Sequence, residues 1–236
     1  MSKHWQRDLD ALQRAVLAMS SQVEEMIEKA CRALRDSRIE LVDEVIALEE
    51  DVNEREVQIE EECLKILALH QPVAIDLRRA AMLLKINNDL ERMADLAVNI
   101  AERTRSLSRF LTFAIPERFD AMARLAIGMV NSALDAFVHL DSDAAREICH
   151  QDNLVDDINR QNIDEMYRRM REDSESVEPA LQFFSCSRHV ERIADLATNI
   201  AEDVIFLVEG EIARHRTDES EIPLQSLKDD KPSSPR

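Results

Sequence analysis

The sequence predicts an all-α protein: six long helices folded as two similar antiparallel three-helix bundles. Three observations carry this. Two Gly and six Pro in 236 residues are too few for a sheet protein, which needs a turn roughly every 8–12 residues. Ala, Leu, Glu, Arg, Ile and Met dominate, and most are good helix formers. Finally, ERMADLAVNIAE at 91–102 returns as ERIADLATNIAE at 191–202, ten of twelve positions identical. A near-copy at that interval marks an internal duplication.

The elements follow in order. Leu9, Leu12, Val16, Met19, Val23, Met26, Ala30 and Ala33 recur at steps of three and four, which predicts an amphipathic first helix over about 3–34. Asp36-Ser37 offers a break and an N-cap, and a second helix runs from about 38 to 69. His70-Gln71-Pro72 stops it, with Pro72 suited to the first turn of a third helix over about 73–110. Ile115-Pro116 resets the chain, and a fourth helix reaches about 140. Asp141-Ser142-Asp143 caps a fifth over about 143–172. The polar run 173–176, then Pro179, marks the next turn. A sixth helix ends near Gly210 or Arg214. The expected organisation is a first repeat over 1–112, a second over 113–215 and a disordered tail over 216–236, where the chain turns polar and Pro-rich.

Composition narrows the function classes. The net charge of −18 repels nucleic acid and anionic membranes and favours cations or basic partners. Cys31, Cys63, Cys149 and Cys186 form no CxxC pair, so free thiols in a reducing cytoplasm are expected. No signal peptide and no run of 18 apolar residues is visible, so no membrane insertion is expected. The chain has no glycine-rich phosphate loop and no nucleophile elbow. The six His share no metal-ligand spacing, although His189 precedes the second motif by two residues.

The second and fifth helices carry a polar interruption in an apolar line. Positions 42, 45, 49, 53, 56, 60, 63 and 67 read Val, Val, Glu, Asn, Glu, Glu, Cys and Leu. An offset of 103 gives Ala145, Ile148, Asp152, Asp156, Asn159, Ile163, Met166 and Met170. Carboxylates within such a seam are costly unless paired, protonated or bound to a cation. The alternatives are that the helix leans outward there, or that Arg92 and Arg192 pair with them. The motif helices add the line Asn88, Glu91, Asp95, Asn99, Glu102 and its copy Arg188, Glu191, Asp195, Asn199, Glu202. Alone, that line reads as the wet side of an amphipathic helix. Together the two lines make one multi-carboxylate cluster per half, whose hard oxygens suit magnesium, calcium, manganese or iron.

PVAIDLRRA at 72–80, INNDLERMADLAVNIAE at 86–102 and HVERIADLATNIAE at 189–202 resemble the PhoU family over roughly residues 5–213. The resemblance implies paired three-helix bundles and a cytoplasmic, non-enzymatic negative regulator of phosphate uptake and phosphate-starvation signalling. It implies contact with the sensor histidine kinase and with the ATPase subunit of the phosphate ABC transporter, and a homodimer. It also implies iron-type or other divalent metals (Fe, Mn, Mg or Zn) on Glu91 and Asp95, on Glu191 and Asp195, and on the long-helix acids Glu49, Glu56, Asp152 and Asp156. Asn53 stands where the second half has Asp156, and Ala94, Leu96, Ala194 and Leu196 replace the Gly and His that often flank the Asp. The alternative is a carboxylate-bridged metal enzyme or cation store. Such bundles use Glu-x-x-His, and the one instance, Glu147 and His150, lies off the acidic line without a counterpart in the first half.

Overall fold

A computed structural model describes residues 3–210. Six α-helices follow one another: α1 Lys3–Asp36, α2 Glu40–His70, α3 Ile75–Leu107, α4 Arg118–His139, α5 Ser142–Glu172 and α6 Val177–Glu209. A single 3-10 turn, Ser174–Ser176, precedes α6, and no strand occurs among the described residues. The duplication is visible in lengths: α2 and α5 are 31 residues each, and α3 and α6 are 33 each. The tail expected over 216–236 lies outside the described residues.

Two local signals resolve differently from expectation. Ser37 does not cap α2; it takes a left-handed φ of 53°, and Ile39 precedes the helix without a side-chain cap. Pro72 stays in the connection, where Gln71 and Ala74 also have positive φ, and α3 starts at Ile75. Pro179 sits inside the first turn of α6, where its missing N–H leaves no helical bond unmade. Asp141 caps α5 as expected, its carboxylate accepting from the N–H groups of Asp143 at 3.1 Å and Ala144 at 3.0 Å.

α1 buries its whole three-four stripe, from Trp5 through Val16 to Ala33. It packs on α2 and α3, while α4, α5 and α6 form the second bundle. The halves join through α3 on α6 and α1 on α4, so α2 and α5 lie on the outside. Arg35 Nη1 ties α1 to α4 through Asp120 Oδ1 at 2.6 Å, and within the second core Phe119 lies edge-on to Phe183 at 5.5 Å. α4 alone among the described helices is long and apolar enough to cross a membrane by length and composition. Its apolar face, Phe119, Met122, Ala126, Met129 and Val130, is spent on the protein core.

Candidate functional site

The second helix carries two heptad lines side by side. Val45, Val52, Ile59 and Ile66 are buried and form the seam. The neighbouring line starts at Val42 and ends at Cys63, both buried, with half-buried Glu49 and Glu56 between. Those two carboxylates therefore border the core, while Asn53 and Glu60 of the expected stripe face solvent. On α3, Leu90, Met93, Ala97 and Ile100 go inward, leaving Glu91 half-buried and Asp95 exposed on the adjoining edge.

These four acids share one electrostatic environment. Burial raises the Glu49 carboxyl above its usual range, and Asp95 and Glu102 add to it. Burial raises Glu56, with Glu60 contributing. Glu91 is raised by burial, then by Asp95 and Glu56, against the opposing pull of Arg92. Arg92 does not cross to the α2 carboxylates; its Nη1 pairs with Asp89 Oδ1 at 3.3 Å. Asn87 ties the helices by donating to the Glu56 backbone carbonyl at 2.9 Å.

The second half repeats the arrangement more deeply. Asp152 is pushed up to about 6, by burial first and then by Asp195 and Asp156. Glu191 is buried at 8% exposure and raised by burial and Asp195, against Arg188. Asp195 is raised by burial and Asp156. Asn159 leaves the acidic line: it is buried, and its Oδ1 accepts from Ser187 Oγ at 2.8 Å. Asp152 and Asp156 of α5 thus face Glu191 and Asp195 of α6, as the 103-residue and 100-residue offsets require.

All eight expected residues therefore fall on the two seams, four on each. Among the described residues, however, no three His, Cys, Asp or Glu side chains are close enough together to hold a metal ion. The donor chemistry fits a hard cation: Asp152 Oδ1 and Glu191 Oε2 are buried without a hydrogen-bond partner, and an uncompensated carboxylate oxygen is what a cation relieves.

Sequence reasoning missed two features. Arg188 Nη1 binds Glu191 Oε1 at 2.6 Å, so the second site carries an internal cation where the first has Asn88. Comparing 88 with 188 in the aligned copies reveals it. The second is a cleft of about 380 Å³ where α3 crosses α6, lined in matched pairs by Arg92 and Arg192, Asp95 and Asp195, and Asn99 and Asn199. No single-helix pattern shows which faces of two helices meet.

The PhoU domain family matches this chain twice, over residues 16–104 and 119–204. The chain belongs to the PhoU family. A phosphate-specific transport system accessory protein PhoU homolog from Aquifex aeolicus is 36% identical over 210 residues, covering 89% of this chain and 95% of that protein. The PhoU accessory protein of Escherichia coli K12 is 32% identical over 217 residues, covering 91% and 89%. The PhoU crystal structure from Pseudomonas aeruginosa superposes with a TM-score of 0.84 at 33% identity, covering 88% of this chain and 100% of that one. The phosphate transport system regulatory protein PhoU from Streptococcus pneumoniae gives 0.83 at 28% identity, covering 88% and 98%. Family membership accounts for the two similar bundles.

Proposed function

We propose that this protein is a cytoplasmic, non-enzymatic accessory regulator of phosphate uptake that restrains the phosphate-starvation response when phosphate is plentiful. The observation that carries the reading is the doubled PhoU domain, shared over nearly the full length with proteins named as accessory components of phosphate-specific transport. In this reading it bridges the ATPase subunit of the phosphate ABC transporter and the sensor histidine kinase, as a homodimer. The acidic seams bind divalent or iron-type metal, with Glu49, Glu56, Glu91 and Asp95 holding one site and Asp152, Asp156, Glu191 and Asp195 the other. The metal would neutralise clustered carboxylates and stiffen the outer helices against the motif helices. The unpaired oxygens of Asp152 and Glu191 support this for the second half.

Deleting the gene and following a phosphate-starvation reporter in rich phosphate tests the regulatory role. Activation is expected, and a silent reporter would count against it. Pull-downs against the kinase and the ATPase at high and low phosphate test the adaptor role, which fails if neither binds under either condition.

A further inference from the structure

The two outer helices are equal in length yet differ in charge. α2 carries eleven acids against Arg55 and Lys65, a net of −9 and half of the chain's −18. α5 carries eight acids against five arginines, a net of −3.

The excess lies on the side of α2 turned away from the fold. Among the described helices α2 packs on α1 and α3 alone, through Val45, Val52, Ile59 and Ile66. Opposite that seam, steps of three and four join Ala47, Glu50, Glu54, Val57, Glu61, Leu64 and Ala68, all exposed. The two bases of α2 are otherwise placed: Lys65 Nζ pairs with Glu62 Oε2 at 2.8 Å, and Arg55 lines the groove between α1 and α2. The related line on α5 reads His150, Asn153, Asp157, Arg160, Asp164, Tyr167 and Arg171, also exposed. It balances its own charge, and Arg160 Nη1 pairs with Asp157 Oδ1 at 2.8 Å. The fold therefore does not require an unbalanced outer face.

Apolar residues interrupt the acids. Val57 and Leu64, 51% and 53% exposed, stand seven residues apart on the same line. Apolar side chains at i and i+7 on one helix face are anchors for a second helix, whose own seam repeats at that interval. Acids between and beside the anchors select a partner with Lys or Arg flanking its seam. A second copy of this face would set carboxylates against carboxylates. Among the described residues no three acids gather closely enough to hold a metal ion.

We propose that the outward face of α2, from Ala47 to Ala68, docks a basic amphipathic helix of a partner protein. Apolar side chains of that helix cover Val57 and Leu64, and its Lys or Arg residues pair with Glu50, Glu54 and Glu61. The inference rests on the contrast between α2 and α5 and not on the starvation-signalling role. Fluorescence anisotropy of a labelled synthetic helical peptide, Leu at its heptad seam and Lys beside it, tests the proposal. The peptide is titrated with the full-length protein at near-physiological salt, alongside a scrambled peptide of the same composition. The patterned peptide is expected to bind about tenfold tighter than the scrambled one. Leu64→Asn, and separately the triple variant E50Q/E54Q/E61Q, should each weaken binding about tenfold. The α5 variant D157N/D164N should stay within about twofold of wild type. All these side chains are exposed, and melting curves verify that the variants fold. Equal binding of the scrambled peptide, an equal loss in the α5 variant, or unchanged binding in either α2 variant would overturn the proposal. Self-association of the wild type that Leu64→Asn abolishes would assign the face to a second copy and overturn it too. A failure here leaves the starvation-reporter outcome untouched.

Discussion

Ser187 donates to Asn159 at 2.8 Å in the buried centre of the second bundle, and Asn162 Nδ2 donates to the same hydroxyl at 3.0 Å. Ser187 lies one turn before Glu191. The chain Asn162–Ser187–Asn159 therefore sets the register of α5 against α6 at the level of the acidic seam. Asn87 and Glu56 occupy the related positions in the first half and make a side-chain-to-backbone bond at 2.9 Å instead.

Replacing that hydroxyl isolates its contribution. Ser187→Ala leaves the buried Asn159 Oδ1 unpaired, whereas Asn162 keeps Arg118 Nε at 2.9 Å on its carbonyl oxygen. An orphaned buried polar group costs about 1–3 kcal/mol, so a fall in melting temperature of about 2–12 °C is expected. Thermal unfolding followed by circular dichroism measures it. An unchanged melting temperature would show that the network carries no net stability.

The pH dependence has a definite sign. Asp152 is pushed up to about 6 in the folded chain, and an unfolded Asp titrates near ~3.9. Its stability contribution is present below the unfolded value and lost as pH rises through about 6. Glu191 and Asp195, both raised, act in the same direction. Chelator-treated wild type is therefore expected to melt higher at pH 5 than at pH 7.5. Asp152→Asn should narrow that gap and gain about 1–2 kcal/mol at pH 7.5, after discounting for its partial exposure. A variant less stable than wild type at pH 7.5 would refute the repulsion argument.

Metal uptake separates the two seams. With iron, manganese, magnesium or zinc added to the purified protein, bound metal and melting temperature are both expected to rise. Asp95→Ala should lose metal from the first half and Asp195→Ala from the second, each leaving the other half loaded. Elemental analysis of the desalted proteins reads the stoichiometry. Full retention in both variants would mean that the acidic lines are not the sites.

Thiol reactivity follows burial. Burial holds the Cys31 thiol at about 12 and the Cys63 and Cys149 thiols at about 11, and pushes Cys186 up as well. Cys149 alone is not fully buried. Titration of the native protein with a thiol reagent at pH 7.5 should show one slow phase that Cys149→Ser abolishes, the other three reacting only on unfolding. Rapid labelling of Cys31 or Cys186 in the native state would contradict the packing.

Helix number, order and approximate ends were legible in the sequence because they follow from local rules: apolar period, scarce glycine, capping at Asp141. The buried stripe of α1 was read residue by residue, because that helix has one apolar line and no competitor. On α2 two heptad lines compete, 42-49-56-63 and 45-52-59-66, and periodicity cannot choose between neighbouring stripes. Packing against α1 and α3 decided it, burying Val52 and Ile59, turning Asn53 and Glu60 outward and leaving Glu49 and Glu56 at the border.

The duplication, the acidic character of both halves and the family were determined by the sequence by itself, since each is a matter of residue identity at fixed spacing. Only the tertiary structure decided that Lys85 of α3 reaches Asp203 of α6, that Asn87 of α3 meets Glu56 of α2, and that Arg92 and Arg192 line one cleft where α3 crosses α6. Those relationships join residues up to 118 positions apart in the chain. They depend on how one helix rolls against another, which the summed packing of all six settles and no local pattern encodes.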